Sequence, residues 1–170
     1  MRSEAGKAMM GWLGHVGDHP LYPALHALAT LGPVGYIPVA PGTAGSLVAL
    51  AVWLAVAPVP AWVPLLLVPI GALGVACAGE VARFEERADP PEVVIDEVVG
   101  MALALALAPG GLWAGLAAFA AFRVLDVAKP FSIRWLERLP GGWGILADDV
   151  GAALYAAASV RLVWLALGLS

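Results

Sequence analysis

The chain has 170 residues, is 61% hydrophobic with a mean hydropathy of +0.87, and only 13% of its residues are charged, about half the share in an ordinary soluble domain. Its net charge of -4 argues against a nucleic-acid partner, which needs a basic face to neutralise phosphates. The single cysteine, Cys77, excludes an internal disulfide and a cysteine-built zinc site, so any metal is expected to be oxygen-ligated. This composition predicts one all-α domain over residues 1–170: a polytopic integral membrane bundle with short re-entrant or hairpin helices.

Residues 1–36 read as an N-terminal cytoplasmic or interfacial segment. Met1 to Asp18 mixes Arg2, Glu4 and Lys7 with His15 and lacks the layout of a cleaved signal peptide. Leu21 to Leu31, carrying His26 and ended by Gly32, Pro33 and Gly35, reads either as an interfacial helix or equally as a poorly formed first span. No Asp, Glu, Lys or Arg occurs from His19 to Gly79. Within that stretch the motif Pro41-Gly42-Thr43-Ala44-Gly45-Ser46 precedes an apolar run to Ala57. Pro58 and Pro60 then reverse the chain into a span over Ala61 to Gly79. Glycines, hydroxyls and free amides at a helix start attract an anion, although an ordinary N-cap uses the same residue types.

Cys77 and Arg83 match the cysteine-x5-arginine spacing of cysteine phosphatases. Glu80 would put a carboxylate inside the phosphate cradle, so the match is read as accidental. His15, His19 and His26 show no zinc-ligand spacing.

Asp96 and Glu97 open the next apolar run. Compensating a helix dipole is worth at most about 1 kcal/mol, too little to explain two acids at a membrane boundary. Pro109, Gly110 and Gly111 divide the uncharged stretch Val98 to Phe122, leaving either one kinked span or a hairpin of short helices. The hairpin collects Arg83, Arg87, Arg123, Lys129, Arg134 and Arg138 on one side, as the positive-inside rule favours, together with every acid of interest.

Arg123 and Asp126 fall three apart on one helical face, able to pair or to share a phosphate and its metal. Gly141-Gly142-Trp143-Gly144-Ile145-Leu146-Ala147-Asp148-Asp149 reads as a flexible loop running into a paired-acid cap. The last span is expected over Gly151 to Leu169, where Arg161 must snorkel, pair or mark the outer end. Together these positions have the makings of a magnesium site: hard oxygen ligands beside basic groups suited to phosphate.

Four ordered segments, PGTAGS, VIDEVVG, FRVLDVAKP and GGWGILADDVGA, resemble the phosphatidylglycerophosphatase A family over Ile37 to Tyr155. The resemblance implies a motif-bearing core over 37–155, with 156–170 ending the last membrane helix. It also implies a magnesium-dependent enzyme of bacterial phospholipid synthesis that hydrolyses phosphatidylglycerophosphate, working from the cytoplasmic side of a multi-pass inner-membrane fold. Asp96, Glu97, Asp126, Asp148 and Asp149 would then be metal-binding or water-handling acids, with Glu80 a sixth metal candidate. Arg123 and Lys129 would hold phosphate, while Thr43, Gly45 and Ser46 would line the headgroup pocket. The competing readings are another lipid phosphoryl-transfer enzyme, whose usual motifs are missing, and a small transporter or ion pathway that uses intramembrane carboxylates. Oligomeric state is not encoded in these features.

Overall fold

The computed structural model describes residues 20–57 and 62–169, all of them helical or in short connections. The N-terminal stretch with Arg2, Lys7, His15 and His19, and the Pro58 to Pro60 reversal, lie outside the described residues. Helix α1 is Tyr22–Thr30, α2 Pro41–Val56, α3 Leu67–Phe84, α4 Ile95–Leu107, α5 Leu112–Ala128, α6 Phe131–Arg134 and α7 Gly142–Ala166.

The helices bury narrow stripes of small residues. In α2 the buried set is Gly42, Gly45, Ser46, Ala49 and Leu50, and in α3 it is Gly71, Gly74, Cys77, Ala78, Val81 and Ala82. Both follow the three-and-four spacing of one helical face. Their remaining faces carry exposed Leu47, Val52, Leu54, Val68 and Leu73. Small residues toward neighbours and large apolar ones outward is the inverse of a soluble helix, and it suits packing in lipid. Val63–Phe84 and Gly142–Ala166 are long and apolar enough to cross a membrane, and α2 is a shorter apolar helix.

At the centre, α4 packs against α2, α3, α5 and α7. Fully buried Met101, Ala104, Ala118, Phe122, Ala152 and Ala156 form the main core. A smaller cluster of Tyr22, Ala29, Cys77, Val81 and Ile145 ties α1 to α3 and α7.

Helices α4 and α5 are separated by Pro109 to Gly111, with Gly111 at φ 99°, and they pack on each other. The stretch is therefore two helices and not a single kinked span. They run to 13 and 17 residues because each continues into its charged flank. The acids thus ride on helices instead of lying in loops.

A second departure concerns Gly141 to Asp149. Apart from Gly141, at φ 58°, this segment is not a loop but the opening two turns of the 25-residue α7. A Cβ on Gly142 would overlap the Val75 carbonyl and the Gly79 amide, and one on Gly144 would overlap the Leu139 carbonyl. These glycines permit backbone contact, not flexibility. Likewise α2 begins at Pro41, inside the PGTAGS motif, so the motif is the first turn of the helix and not a loop ahead of it.

Arg161 lies at the far end of α7, where its Nε donates to the Leu107 carbonyl at the close of α4. It thereby satisfies a carbonyl that the helix end would otherwise leave unpaired.

Candidate active site

Four helices converge where α2, α4 and α7 begin and α5 ends. The first turn of α4 supplies Asp96 and Glu97, the last turn of α5 supplies Asp126, and the second turn of α7 supplies Asp148 and Asp149. Two three-carboxylate groups result. Asp96, Glu97 and Asp149 form one and Asp126, Asp148 and Asp149 the other, each with one oxygen per residue within 4.8 Å of the others. Neighbouring helical residues point about 100° apart, yet Asp96 and Glu97 both reach the first group.

These carboxylates are not solvated. Asp149 is 2% exposed, Asp148 5% and Asp96 7%, while Glu97 is half-buried. Among the described residues, Asp96 Oδ1, Glu97 Oε2, Asp148 Oδ1 and Asp149 Oδ2 are buried without a hydrogen-bond donor. A buried anion without a partner costs several kcal/mol, and four such oxygens in one place make a donor set that fits a hard cation.

Two protein cations flank the acids. Arg123 Nη1 sits 2.9 Å from Asp126 Oδ2 and donates to Ser46 Oγ at 3.3 Å; the Ser46 hydroxyl in turn donates to the Gly42 carbonyl at 2.9 Å. Lys129 Nζ donates to Asp148 Oδ2 at 2.6 Å and to Glu137 Oε1 at 2.5 Å. Burial alone would lower the Lys129 pKa, but its bonds to Asp148 and Glu137 raise it above the usual lysine range, so the side chain stays charged. Arg123 Nε is buried without an acceptor among the described residues, and so has a donor in hand for an anion.

The PGTAGS residues serve this arrangement mainly by shape. Fully buried Ser46 fixes Arg123, and Gly45 lets α2 rest against Val94. A Cβ on Gly42 would overlap the Glu97 carboxylate, while Thr43 is half-buried in the first turn. Glu80 is not brought in with the other acids: it belongs to neither three-carboxylate group, and it pairs at 2.6 Å with exposed Arg83 on its own helix.

Beside the acids opens a cavity of about 420 Å³, with Asp148 on one wall and Arg83, Arg87, Asp89 and Glu137 around it. Sequence reasoning missed Asp89 and Glu137. Asp89 sits, exposed, in the ten-residue polar connection 85–94 between α3 and α4. Its only signal in the sequence was an acid in a polar connection.

The family model described as Phosphatidylglycerophosphatase A matches residues 27–164. The chain belongs to the phosphatidylglycerophosphatase A family. Among its relatives, the Phosphatidylglycerophosphatase A of Escherichia coli K12 is 37% identical over 135 residues, covering 78% of each chain. The protein of that name from Haemophilus influenzae is 50% identical over 70 residues, 40% of this chain and 43% of its own. A Bacteroides thetaiotaomicron protein, provisionally named a phosphatidylinositol-3-phosphatase, is 37% identical over 129 residues, 71% of this chain and 81% of its own. No solved structure matches. Membership of the phosphatidylglycerophosphatase A family makes the chain an enzyme, a phosphoric monoester hydrolase.

Proposed function

We propose that this enzyme removes the terminal phosphate of phosphatidylglycerophosphate, giving phosphatidylglycerol and phosphate, at the cytoplasmic face of a bacterial inner membrane that it crosses several times. The observation that carries the reading is the buried carboxylate cluster with unsatisfied oxygens, set between Arg123 and Lys129. Its relatives' names supply the lipid.

The donor set is all oxygen, which suits magnesium better than softer metals, and Asp96, Glu97, Asp126, Asp148 and Asp149 would hold it. Bound there, magnesium would lower the charge barrier to an incoming phosphate dianion and acidify a water. Arg123, clamped by Ser46 and Asp126, presents Nε to the phosphoryl oxygens. Lys129 keeps its charge beside Asp148 and counters the negative charge that builds as the ester bond breaks. A carboxylate of the cluster orients the attacking water and takes its proton, which then passes to the departing glycerol oxygen as the P–O bond breaks. The cavity edged by Arg83 and Arg87 receives the rest of the headgroup, with its second phosphate against the arginines.

Phosphate release from phosphatidylglycerophosphate in detergent micelles, with and without magnesium, tests the reading. Release dependent on magnesium is expected; a folded protein releasing none with any divalent metal would refute it. Because one relative carries a phosphoinositide name, phosphatidylinositol 3-phosphate belongs in the same assay. A larger kcat/KM on that lipid would transfer the assignment to it.

A further inference from the structure

We infer that the site holds two divalent cations at once, with Asp149 as the carboxylate shared between them. The inference rests on the metal-dependent phosphatase reading above, and it adds the number of ions and the residue that couples them.

Three observations support it. First, the acids form two groups, not one, and their only common member is Asp149. Two-metal phosphoryl-transfer sites hold their ions about 3.5–4 Å apart, a spacing one carboxylate spans with its two oxygens. Second, each group keeps buried oxygens without donors: Asp96 Oδ1 and Glu97 Oε2 in the first, Asp148 Oδ1 in the second, and Asp149 Oδ2 in the shared position. In the second group Asp148 spends Oδ2 on Lys129, which leaves its buried Oδ1 for a ligand, while Asp126 lies against Arg123.

Third, charge decides the count. Five carboxylates, with Glu137 beside them on Lys129, face the two cations Arg123 and Lys129, an excess of four negative charges. One divalent ion would leave a net negative charge, which repels a phosphate dianion where the dielectric is low. Two ions would bring the site to neutrality and remove that repulsion. Asp149 stands 2% exposed at the centre, held by Gly100, where a Cβ would meet both Phe122 and the Asp149 Cβ.

The test is titration of the detergent-solubilised full chain with Mn2+, reading free ion by its electron paramagnetic resonance signal, alongside Asp96→Asn and Asp148→Asn variants checked for folding by thermal melting. The wild type is expected to bind two Mn2+ per chain and to show a spin-coupled spectrum at saturation. Each variant should bind one ion without coupling. A wild type that binds a single ion, or none, overturns the inference, and that result needs no variant. Two ions without spin coupling overturn the bridging role of Asp149. Phosphate release measured on the same preparation separates the two readings. Two bound ions without lipid hydrolysis would sink the lipid assignment alone, whereas hydrolysis with one bound ion would sink only the two-ion centre.

Discussion

At the residue scale, the weight of the site falls on groups that have no substitute in their surroundings. Asp149 belongs to both carboxylate groups, so Asp149→Asn should lower kcat for phosphate release by about a thousandfold, equivalent to roughly 4 kcal/mol, in a protein that still melts cooperatively. Ser46 acts at one remove, by fixing Arg123. A hydrogen bond to a charged group is worth about 1.5 kcal/mol, so Ser46→Ala should reduce kcat/KM about tenfold, while Ser46→Thr, which keeps the hydroxyl, should recover part of it.

A separate titration belongs to the connection after α3. There Glu92 is raised to about 7 by burial and by its hydrogen bond with Glu85, while Glu85 itself, though burial opposes it, is lowered by His26 and Glu92. A carboxyl raised in the folded state binds more protons there than in the unfolded chain, so its contribution is present at low pH and lost as pH rises through 7. The melting temperature should therefore fall between about pH 5 and 7, and Glu92→Gln should flatten that slope; an unchanged slope would assign it to other groups.

Among the elements, α4 and α7 decide the geometry. The start of α7 lies on α3 and on the 3₁₀ turn Leu136–Arg138 so closely that Gly142 and Gly144 admit no Cβ. Gly142→Ala should cost roughly 1–3 kcal/mol by overpacking and should weaken divalent-ion binding, since Asp148 and Asp149 ride on the same turns. Gly110→Ala meets nothing within 4 Å among the described residues and should change neither. This contrast shows what could not be read from the chain alone. A run of glycines before two acids has the same composition whether it is a loop or a tightly packed helix, and only the neighbours' backbone positions tell them apart. The breaks at Gly32 and at Pro109 to Gly111, by contrast, were legible, because proline and glycine act through local dihedrals.

For the whole molecule, the open question of orientation has a physical basis in charge. Among the described residues Arg83, Arg87, Arg123, Lys129, Arg134 and Arg138 gather toward the acid end, while Arg161 alone marks the other, at the close of α4. By the positive-inside rule this asymmetry favours the cytoplasmic placement proposed for the acid end. With Cys77 buried and unreactive in place, a cysteine at Arg138 should react with an impermeant maleimide only after cells are opened, and one at Gly110 should react in intact cells. The reverse pattern would invert the topology and cut the site off from a cytoplasmic substrate.

While the separation of the stretch around Pro109 to Gly111 into two packed helices came from the structure, the sequence by itself determined the helical class, the apolar stretches, a break at Pro109 to Gly111 and the identity of the acids. Each follows from local propensity, hydropathy or the cost of placing charge beside hydrocarbon. Tertiary structure alone decided that Asp149 joins two carboxylate groups, that Glu80 stays with Arg83, that Ser46 serves Arg123, and that Glu137 and Asp89 edge the site. Those outcomes depend on which helix faces meet across tens of residues, and contact between distant side chains is set by packing in three dimensions, which no local pattern encodes.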